Sequence, residues 1–365
     1  MRVVHVIARF NVGGTATWIA NLSHSLVEKG HENYVLAGMV QSGEVEDVRF
    51  EAINGIRIGK LGRKVTFLAD LQSLLEIRRV LKRLSPDVVN THTAKAGVLG
   101  RLATFSLGRK RPAVVHTIHG HLLTGYFGTG GTLLSTGIER IMSRMTDVML
   151  FAGEKVKLDC LAKGIKHQKY SYVVMPGVEI SPKKKRYGSK VTVGWLARFA
   201  NVKRPNRVLE IAKELPGVNF VLGGDGPLRP GMQLDAPKNC KFLGWIDPKD
   251  FWSQVDVALL TSENEALPIS LIEAQLFGLP SVCTPAGSAP EVVINEENGF
   301  VANSFSSLEL SQLVKKLTSN AALRRKMGAS AKKRAKKIFS LEKQVTDHLI
   351  AYTHAIEIRK GIKDA

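Results

Sequence analysis

Short runs of β-branched and aliphatic residues alternate with segments of helical period from the first residues onward. "VVHVIA", "ENYVLAG", "PDVVNTHT", "AVVHTIHG", "TDVMLFAG" and "YSYVVMPG" read as strands, and "TATWIANLSHSLVEKG" reads as a helix between the first two. That rhythm predicts parallel β-α-β units. It stops at residues 179–190, "EISPKKKRYGSK", where proline, glycine and a lysine run without apolar period predict an exposed linker. A second series follows: "KVTVGWLAR", "RPNRVLEIAKELPG", "VNFVLGGDG", "CKFLGW", "DVALLTS", a helix from Pro268, and "PSVCTPAG". The pattern predicts two Rossmann-like, doubly wound α/β domains in tandem, over residues 1–180 and 188–339. The remaining residues are helical by period, with Asn320 and Ser340 as N-cap candidates. Val345, Leu349, Tyr352 and Ile356 form an apolar stripe on the last helix that needs a surface to cover it.

Composition agrees with two cores: 365 residues, 44% hydrophobic and 23% charged, exceed what one ordinary core supports. Cys160, Cys240 and Cys283 stand too far apart for a zinc spacing or a disulfide-stapled domain, and read as buried thiols. The N-terminal apolar run is broken by His5 and Arg9 too soon for a secretory signal, and no run reaches the ~18 residues of a membrane span. A cytoplasmic protein is expected. The formal charge of +20 points to anionic partners, whether phosphorylated metabolites, nucleic acid or an acidic lipid surface.

Against that charge, "SENEALPISLIEA", residues 262–274, gathers carboxylates around a proline at the end of an apolar run. "DVALLTS" is a strand, Pro268 suits the first turn of a helix, and residues 264–267 then form a strand-to-helix turn. Such turns lie outside the carboxyl ends of parallel strands, where ligands bind and free helix-start amides hold phosphate. Glu265 sits in the turn and Glu273 about a turn and a half into the helix, so they suit two parts of one extended ligand rather than one point. Ionised carboxylates accept hydrogen bonds from paired hydroxyls, and a sugar joined through a diphosphate to a ribose would satisfy both. Spacing alone leaves this reading and an ordinary solvated helix start equally open.

Glu265 and Glu273 resemble the Glu-x7-Glu motif of retaining glycosyltransferases of the GT-B fold, in particular glycosyltransferase family 4, down to the proline three residues after the first glutamate. The resemblance implies two Rossmann-like domains facing across a cleft, with the last helix, 340–365, packing back on the first domain. It implies that Glu265 meets the donor sugar, that Glu273 bonds the ribose, and that Ala266 and Leu267 offer backbone amides to the diphosphate. In "GWLARFANVKRP", Arg198 and Lys203 keep the family's spacing for two cations on that diphosphate, with Ala197 where the family has glycine; an arginine fork and a mobile ammonium are complementary in that role.

Gly13 and Gly14 in "FNVGGTAT" allow close backbone approach at a helix start, and are not a dinucleotide fingerprint. The family has a glycine-rich loop here facing donor and acceptor. "HTIHGHLLTGYF" holds His116, His119 and His121; alternation pairs only His119 and His121 on one strand face, short of the third ligand a zinc site needs, and His119 best matches the family's strand-end histidine near the reacting sugar. His92 and Lys95 end another strand. "GGDGP" and "FLGW" resemble elements that flank the nucleobase, though turn chemistry accounts for both. "MPGVE" lacks the asparagine of the family's Pro-Asn-Gly-Val.

The implied reaction is transfer of a sugar, with retention, from a nucleoside diphosphate to a hydroxyl. A UDP-sugar is preferred over GDP-mannose, on family frequency, with surface polysaccharide or lipid-linked glycan assembly as the setting. No Asp-x-Asp is present to bring in a metal, so no metal and no cofactor are expected, and Arg198, Lys203 and helix amides carry leaving-group stabilisation. Basic runs such as "EIRRVLKRLSPD", "GRKRP" and "RRKMGASAKKRAKKIF" suit a peripheral contact with an anionic membrane; without interleaved aromatics they do not suggest nucleic acid. The rivals are a nucleotide-sugar epimerase of the same fold, a pyridoxal phosphate-dependent phosphorylase, and a non-catalytic nucleotide-sugar-binding scaffold.

Overall fold

The computed structural model describes residues 1–62, 65–120, 129–165, 170–181 and 190–361. Most of the expected linker, and His121, lie outside the described residues. The chain divides into two compact units, Met1–Gly177 with Leu341–Ala365, and Val178–Ser340.

The first unit carries β1 (Arg2–Arg9), β2 (Glu32–Gly38), β3 (Gly55–Arg57), β4 (Val88–His92), β5 (Ala113–Ile118), β6 (Val148–Phe151) and β7 (Ser171–Val173), in the order β3-β2-β1-β4-β5-β6-β7. Every pairing is parallel. Alternate residues of each strand serve opposite faces. Val4, Val6 and Val89 pack on the helices Phe67–Leu84 and Ala94–Phe105, whereas Val3, Val88 and Val115 pack on Gly14–Glu28 and Leu341–Lys360. Burial on both faces is why these strands read as continuous apolar runs.

Helix Leu341–Lys360 buries Val345, Ala351, Tyr352 and Ala355 in the first unit's core. The Tyr352 hydroxyl accepts a 2.8 Å hydrogen bond from Asn90 Nδ2 on β4. Gly177 lets the helix start pass close by: a Cβ there would lie 2.7 Å from Gln344 Oε1 and 2.8 Å from Leu341 Cα. The glycine of "MPGVE" therefore has a packing reason of its own.

The second unit repeats the plan with β8 (Thr192–Leu196), β9 (Asn219–Gly223), β10 (Cys240–Gly244), β11 (Val257–Leu260), β12 (Ser281–Cys283) and β13 (Gly299–Val301), in the order β10-β9-β8-β11-β12-β13. Its core joins Val193, Trp195, Phe220, Val257 and Val282 to helices Asn206–Glu214 and Ser307–Thr318. In both units the strand order reverses beside the first strand, between β1 and β4 and between β8 and β11. Loops leaving adjacent strands diverge there, and the gap they leave is where open α/β sheets bind ligands.

Three details depart from the sequence reading. Strands β3 and β13, three residues each at sheet edges, were not expected; they are too short to show a period. Pro268 is the N-cap of helix Ile269–Leu276 rather than a residue of its first turn, with an extended ψ of 97. Glu273 is consequently the fifth helical residue, a little over one turn in. Asn320 caps helix Ala321–Ile338, accepting from the Leu323 amide at 2.9 Å.

Candidate active site

Residues 261–268 connect β11 to helix Ile269–Leu276, and residues 197–205 leave the neighbouring strand β8. The two loops are tied together through buried side chains. Trp195 Nε1 donates to Thr261 Oγ1 at 3.0 Å, Thr261 Oγ1 donates to the Lys203 carbonyl at 3.0 Å, and the Glu263 amide donates to the Val202 carbonyl at 2.9 Å. Lys203 is thus fixed at its backbone against the turn that carries the glutamates. A buried hydroxyl donating and accepting in one chain is fully satisfied, which stiffens both loops.

Inside this frame every negative charge of the turn has a partner. Glu265, 8% exposed, receives Lys203 Nζ and Ser262 Oγ on Oε1, both at 2.6 Å. Glu263 pairs with Arg204 Nε at 2.6 Å and Arg207 Nη2 at 3.3 Å. A basic chain concentrates carboxylates here because local cations meet them. Arg198 is different: its side chain is exposed and makes no hydrogen bond or ion pair among the described residues. Arg198 and Lys203 therefore follow the same strand but hold different positions, one free and one engaged.

The backbone of the turn is open. Among the described residues the amides of Glu265, Ala266, Leu267, Ile269 and Ser270 donate to no group, while Leu271 and Ile272 already bond to the Pro268 carbonyl. A proline N-cap has no side-chain acceptor to offer, so the helix start stays uncapped. Unpaired amides at a helix N-terminus, with Lys203 held on the same turn by Glu265, suit a polyanion.

Glu273 projects from the same helix as a partly buried carboxyl and accepts from Trp252 Nε1 at 3.3 Å. Burial pushes its pKa up to about 7; the Trp252 bond acts against this, and the Asp247 charge adds to it. An acid held at the edge of ionisation is easily tipped by donors that favour its charged form. Trp252, Thr261, Ser262 and Trp195 position the glutamates and Lys203, and sequence reading missed all four. Ser262 adjoins the motif and was within reach; Trp195 lies in a strand run and Trp252 outside any motif, so neither carries a local signal.

Among the other expected residues, Gly224 and Gly226 of "GGDGP" have a conformational explanation. Their φ values are +112 and +151, and a Cβ would meet the Ala197 carbonyl oxygen at 2.1 Å or that of Phe199 at 2.5 Å. The turn therefore lies directly on the segment bearing Arg198. Trp245, at the end of "FLGW", is 66% exposed.

In the first unit Gly13, at φ +158, is the N-cap of helix Gly14–Glu28, and the Gly14 and Thr15 amides find no acceptor among the described residues. This open helix start leaves β1 beside the carboxyl end of β4. His92 ends β4 fully buried, and Lys95 pairs with Asp70 at 2.5 Å. His119, the first residue beyond β5, is partly exposed; its Nε2 lies 2.8 Å from His92 Nδ1, and its ring meets Trp18 edge-on at 5.0 Å. Burial holds the His119 pKa down to about 3, with the neighbouring imidazoles adding to it, so the ring is neutral at physiological pH. The structure brings Lys203 and Glu265 together, groups Gly13, His92 and His119 at the carboxyl edge of the first sheet, and leaves Arg198 and Glu273 without a mutual contact.

Two family models together match most of the chain: "Glycosyltransferase Family 4" over residues 12–181 and "Glycosyl transferases group 1" over residues 178–334. The chain belongs to glycosyltransferase family 4. This family 4 glycosyltransferase is 26% identical over 287 residues to the UDP-Gal:alpha-D-GlcNAc-diphosphoundecaprenol alpha-1,3-galactosyltransferase of Escherichia coli, covering 72% of this chain and 74% of that protein. It is 23% identical over 303 residues to the capsular polysaccharide biosynthesis glycosyltransferase CapM of Staphylococcus aureus, covering 76% and 79%. Solved structures with the same architecture include Anabaena Alr3699/HepE in complex with UDP and glucose, at TM-score 0.80 and 17% identity over 97% of this chain and 99% of that one. Sucrose-phosphate synthase from Thermosynechococcus elongatus matches at TM-score 0.83 and 15% identity, over 98% and 100%. The two-sheet architecture of the family 4 glycosyltransferase is GT-B.

Proposed function

We propose that this glycosyltransferase moves a sugar from a UDP-sugar to a hydroxyl of a lipid-linked glycan, with retention of anomeric configuration. The observation that carries the reading is the β11 turn: five amides without acceptors and an Arg198 without a partner among the described residues, with the Lys203–Glu265 pair, all at the switch point of the second sheet. The amides of Ala266, Leu267, Ile269 and Ser270 receive the diphosphate, Arg198 and Lys203 neutralise it, and Glu273 accepts from the ribose hydroxyls. Glu265 holds the donor sugar through the oxygen that Lys203 and Ser262 leave free. Those cations and amides take the role that a metal has in transferases with an Asp-x-Asp motif.

In the transfer step the acceptor oxygen bonds to the anomeric carbon as its bond to the phosphate oxygen breaks, and the acceptor's proton passes to that departing oxygen on the same face. Within the first unit, His119 and the Gly13–Gly14 helix start, both at the carboxyl edge of its sheet, are the candidates for the acceptor. The use of UDP-galactose and a diphosphoundecaprenol acceptor by the Escherichia coli relative supports this donor and acceptor class.

Calorimetric titration in the presence of a chelator tests the donor reading. UDP should bind without divalent metal and GDP at least about tenfold more weakly, a difference of about 1.4 kcal/mol. Binding that vanishes on chelation, or tighter binding of GDP, would overturn it; the anomeric proton of the product tests retention.

The same reading includes a peripheral contact with an anionic bilayer. Helix Phe67–Leu84 exposes Phe67 (82%), Leu68 (73%), Leu71 and Leu75 on one face, and continues on that face with Arg79, Lys82 and Arg83, which have no partner among the described residues. Helix Thr129–Ser143 exposes Leu133, Leu134 and Ile141, and both helices pack on Ala94–Phe105. Apolar side chains beside unneutralised cations suit an acidic lipid surface, where each cation adds about 1 kcal/mol. No helix among the described residues is long and apolar enough to cross a membrane. The chain should sediment with phosphatidylglycerol-containing vesicles but not with pure phosphatidylcholine, and Leu68→Asp with Leu71→Asp should release it. Equal sedimentation of the double variant would remove the membrane contact from the proposal.

A further inference from the structure

Three histidines of the first unit form a row. His5 Nδ1 lies 2.9 Å from His92 Nε2, and His92 Nδ1 lies 2.8 Å from His119 Nε2. Ring centroids are 5.2 and 5.0 Å apart with interplanar angles of 25° and 36°, so the imidazoles follow one another nitrogen to nitrogen rather than aiming at one point where a cation would sit. Strand pairing builds the row. His5 on β1 is opposite Asn90 on β4, and His92 on β4 is opposite Thr117 on β5, so the three rings climb diagonally across adjacent strands on one face of the sheet. His5 and His92 are fully buried, Trp18 packs edge-on against His119, and His348 packs edge-on against Trp18. Of the three, His119 alone is partly exposed at the carboxyl edge, where the proposed acceptor site lies.

We propose that His5 and His92 are positioning residues that impose one tautomer on His119 and so decide how its remaining nitrogen, Nδ1, meets substrate. The inference rests on the reading of His119 as a site residue. Burial holds all three rings neutral, with His116 and His348 as neighbouring imidazoles acting in the same direction. A neutral imidazole has one donor and one acceptor nitrogen. Each contact in the row needs one of each, which couples the rings. Either all three carry the proton on Nδ1, and His119 offers substrate an N–H, or all three carry it on Nε2, and His119 offers a lone pair. A mixed row would set two lone pairs or two N–H groups against each other at under 3 Å, a mismatch that burial makes costly.

The far end of the row has a matching device. Among the described residues His5 Nε2 and both side-chain polar atoms of Asn33 are buried with no well-formed hydrogen bond, although Asn33 is near enough to act on the His5 ring. Asn33 lies on β2 opposite Val3, which places it on the same sheet face as His5. An amide presents an oxygen or an NH2 by turning over, so Asn33 can complete either state of the row. Buried polar atoms without partners are uncommon enough in native proteins that this group calls for such an explanation. A hydrogen bond at His5 is thereby felt at His119, across two intervening contacts, without net movement of charge.

Long-range proton–nitrogen correlation spectra of the full chain, labelled with nitrogen-15 in its histidine rings and assigned by single substitutions, test the proposal. His5, His92 and His119 should share one tautomer. His5→Phe, which keeps an aromatic ring but ends the row, should shift the His119 ring nitrogens toward a mixture. It should also lower kcat by about tenfold while the donor KM stays within about twofold, a pattern of misplaced chemistry rather than lost binding. His5→Gln, whose amide can bond to His92, should recover part of kcat. Opposite tautomers in neighbouring rings overturn the proposal, as do unmoved His119 signals in a folded His5→Phe chain. Should neither variant fold, the wild-type spectrum still decides. Unimpaired transfer by His119→Ala would instead remove the site reading, a separate result from the shared tautomer.

Discussion

Glu265→Ala should lower kcat/KM by about a thousandfold, with most of the loss in kcat, because an interaction made with the reacting sugar is lost together with the group that holds Lys203. Glu265 is almost fully buried and its Oε1 takes two 2.6 Å hydrogen bonds, from an ammonium and from the Ser262 hydroxyl. Truncation strips both donors of their acceptor. Lys203 retains its backbone position through Thr261 and stays available to the diphosphate, so affinity for the free nucleotide should change by less than about tenfold. That split separates the proposed role from a general collapse of the donor pocket. Glu265→Gln keeps an oxygen for Ser262 but not the charge that Lys203 meets, and should fall between the two. Steady-state kinetics with calorimetric UDP binding measure both quantities; activity of the Ala variant within tenfold of the parent would remove Glu265 from the reaction.

Glu273→Gln should show the opposite pairing: a more stable protein that binds nucleotide poorly. The carboxyl has its pKa raised by burial to about 7 in the folded chain, against an ordinary value of 4.5. Between these values the folded state holds the proton more tightly than the unfolded one. Its contribution to stability is therefore complete at low pH and is lost as pH rises through 7, by up to about 3 kcal/mol. Glutamine carries no charge to desolvate. The variant should melt with the parent at about pH 4 and above it at about pH 8. Nucleotide binding runs the other way, since the ribose needs the ionised carboxylate: parental affinity should rise with pH through 7, and the variant should lose about tenfold or more at about pH 8. Thermal melts at two pH values, with and without UDP, give both results. A variant that is less stable at alkaline pH, or equal in affinity, would contradict the ribose role.

Much of this design can be read without coordinates where a signal is local. Strand β2 matches its apolar run "ENYVLAG" residue for residue, because a strand buried on both faces leaves an unbroken hydrophobic stretch. The turn from β11 into its helix is legible for a related reason: a strand-length run, a polar break and a proline each have one conformational meaning. Even there the proline is the cap and not the first helical residue, a difference set by a single ψ angle. Edge strands β3 and β13 escaped, since three residues joined to one neighbour carry no pattern.

The site divides in the same way. Residue type and spacing marked Glu265, Glu273, Arg198 and Lys203 as candidates, and marked "GGDGP" as a turn. They did not mark Trp195 and Thr261, 66 residues apart in sequence, as the bond that holds the Lys203 loop to the glutamate turn. Nor did they mark Trp252 as the donor to Glu273. Tryptophan in an apolar run signals burial, but which polar group its N–H meets depends on the packing of another helix.

The sequence by itself determined two doubly wound domains, the positions of most strands, and a family-specific set of charged residues, since periodicity, turn chemistry and motif spacing are properties of neighbouring residues. Tertiary structure alone decided that Lys203 rests on Glu265 while Arg198 stays free, that Glu273 is held near its protonation midpoint, and that His5, His92 and His119 touch in a row. These depend on strand order, on register and on exclusion of water, all of them set when distant segments meet.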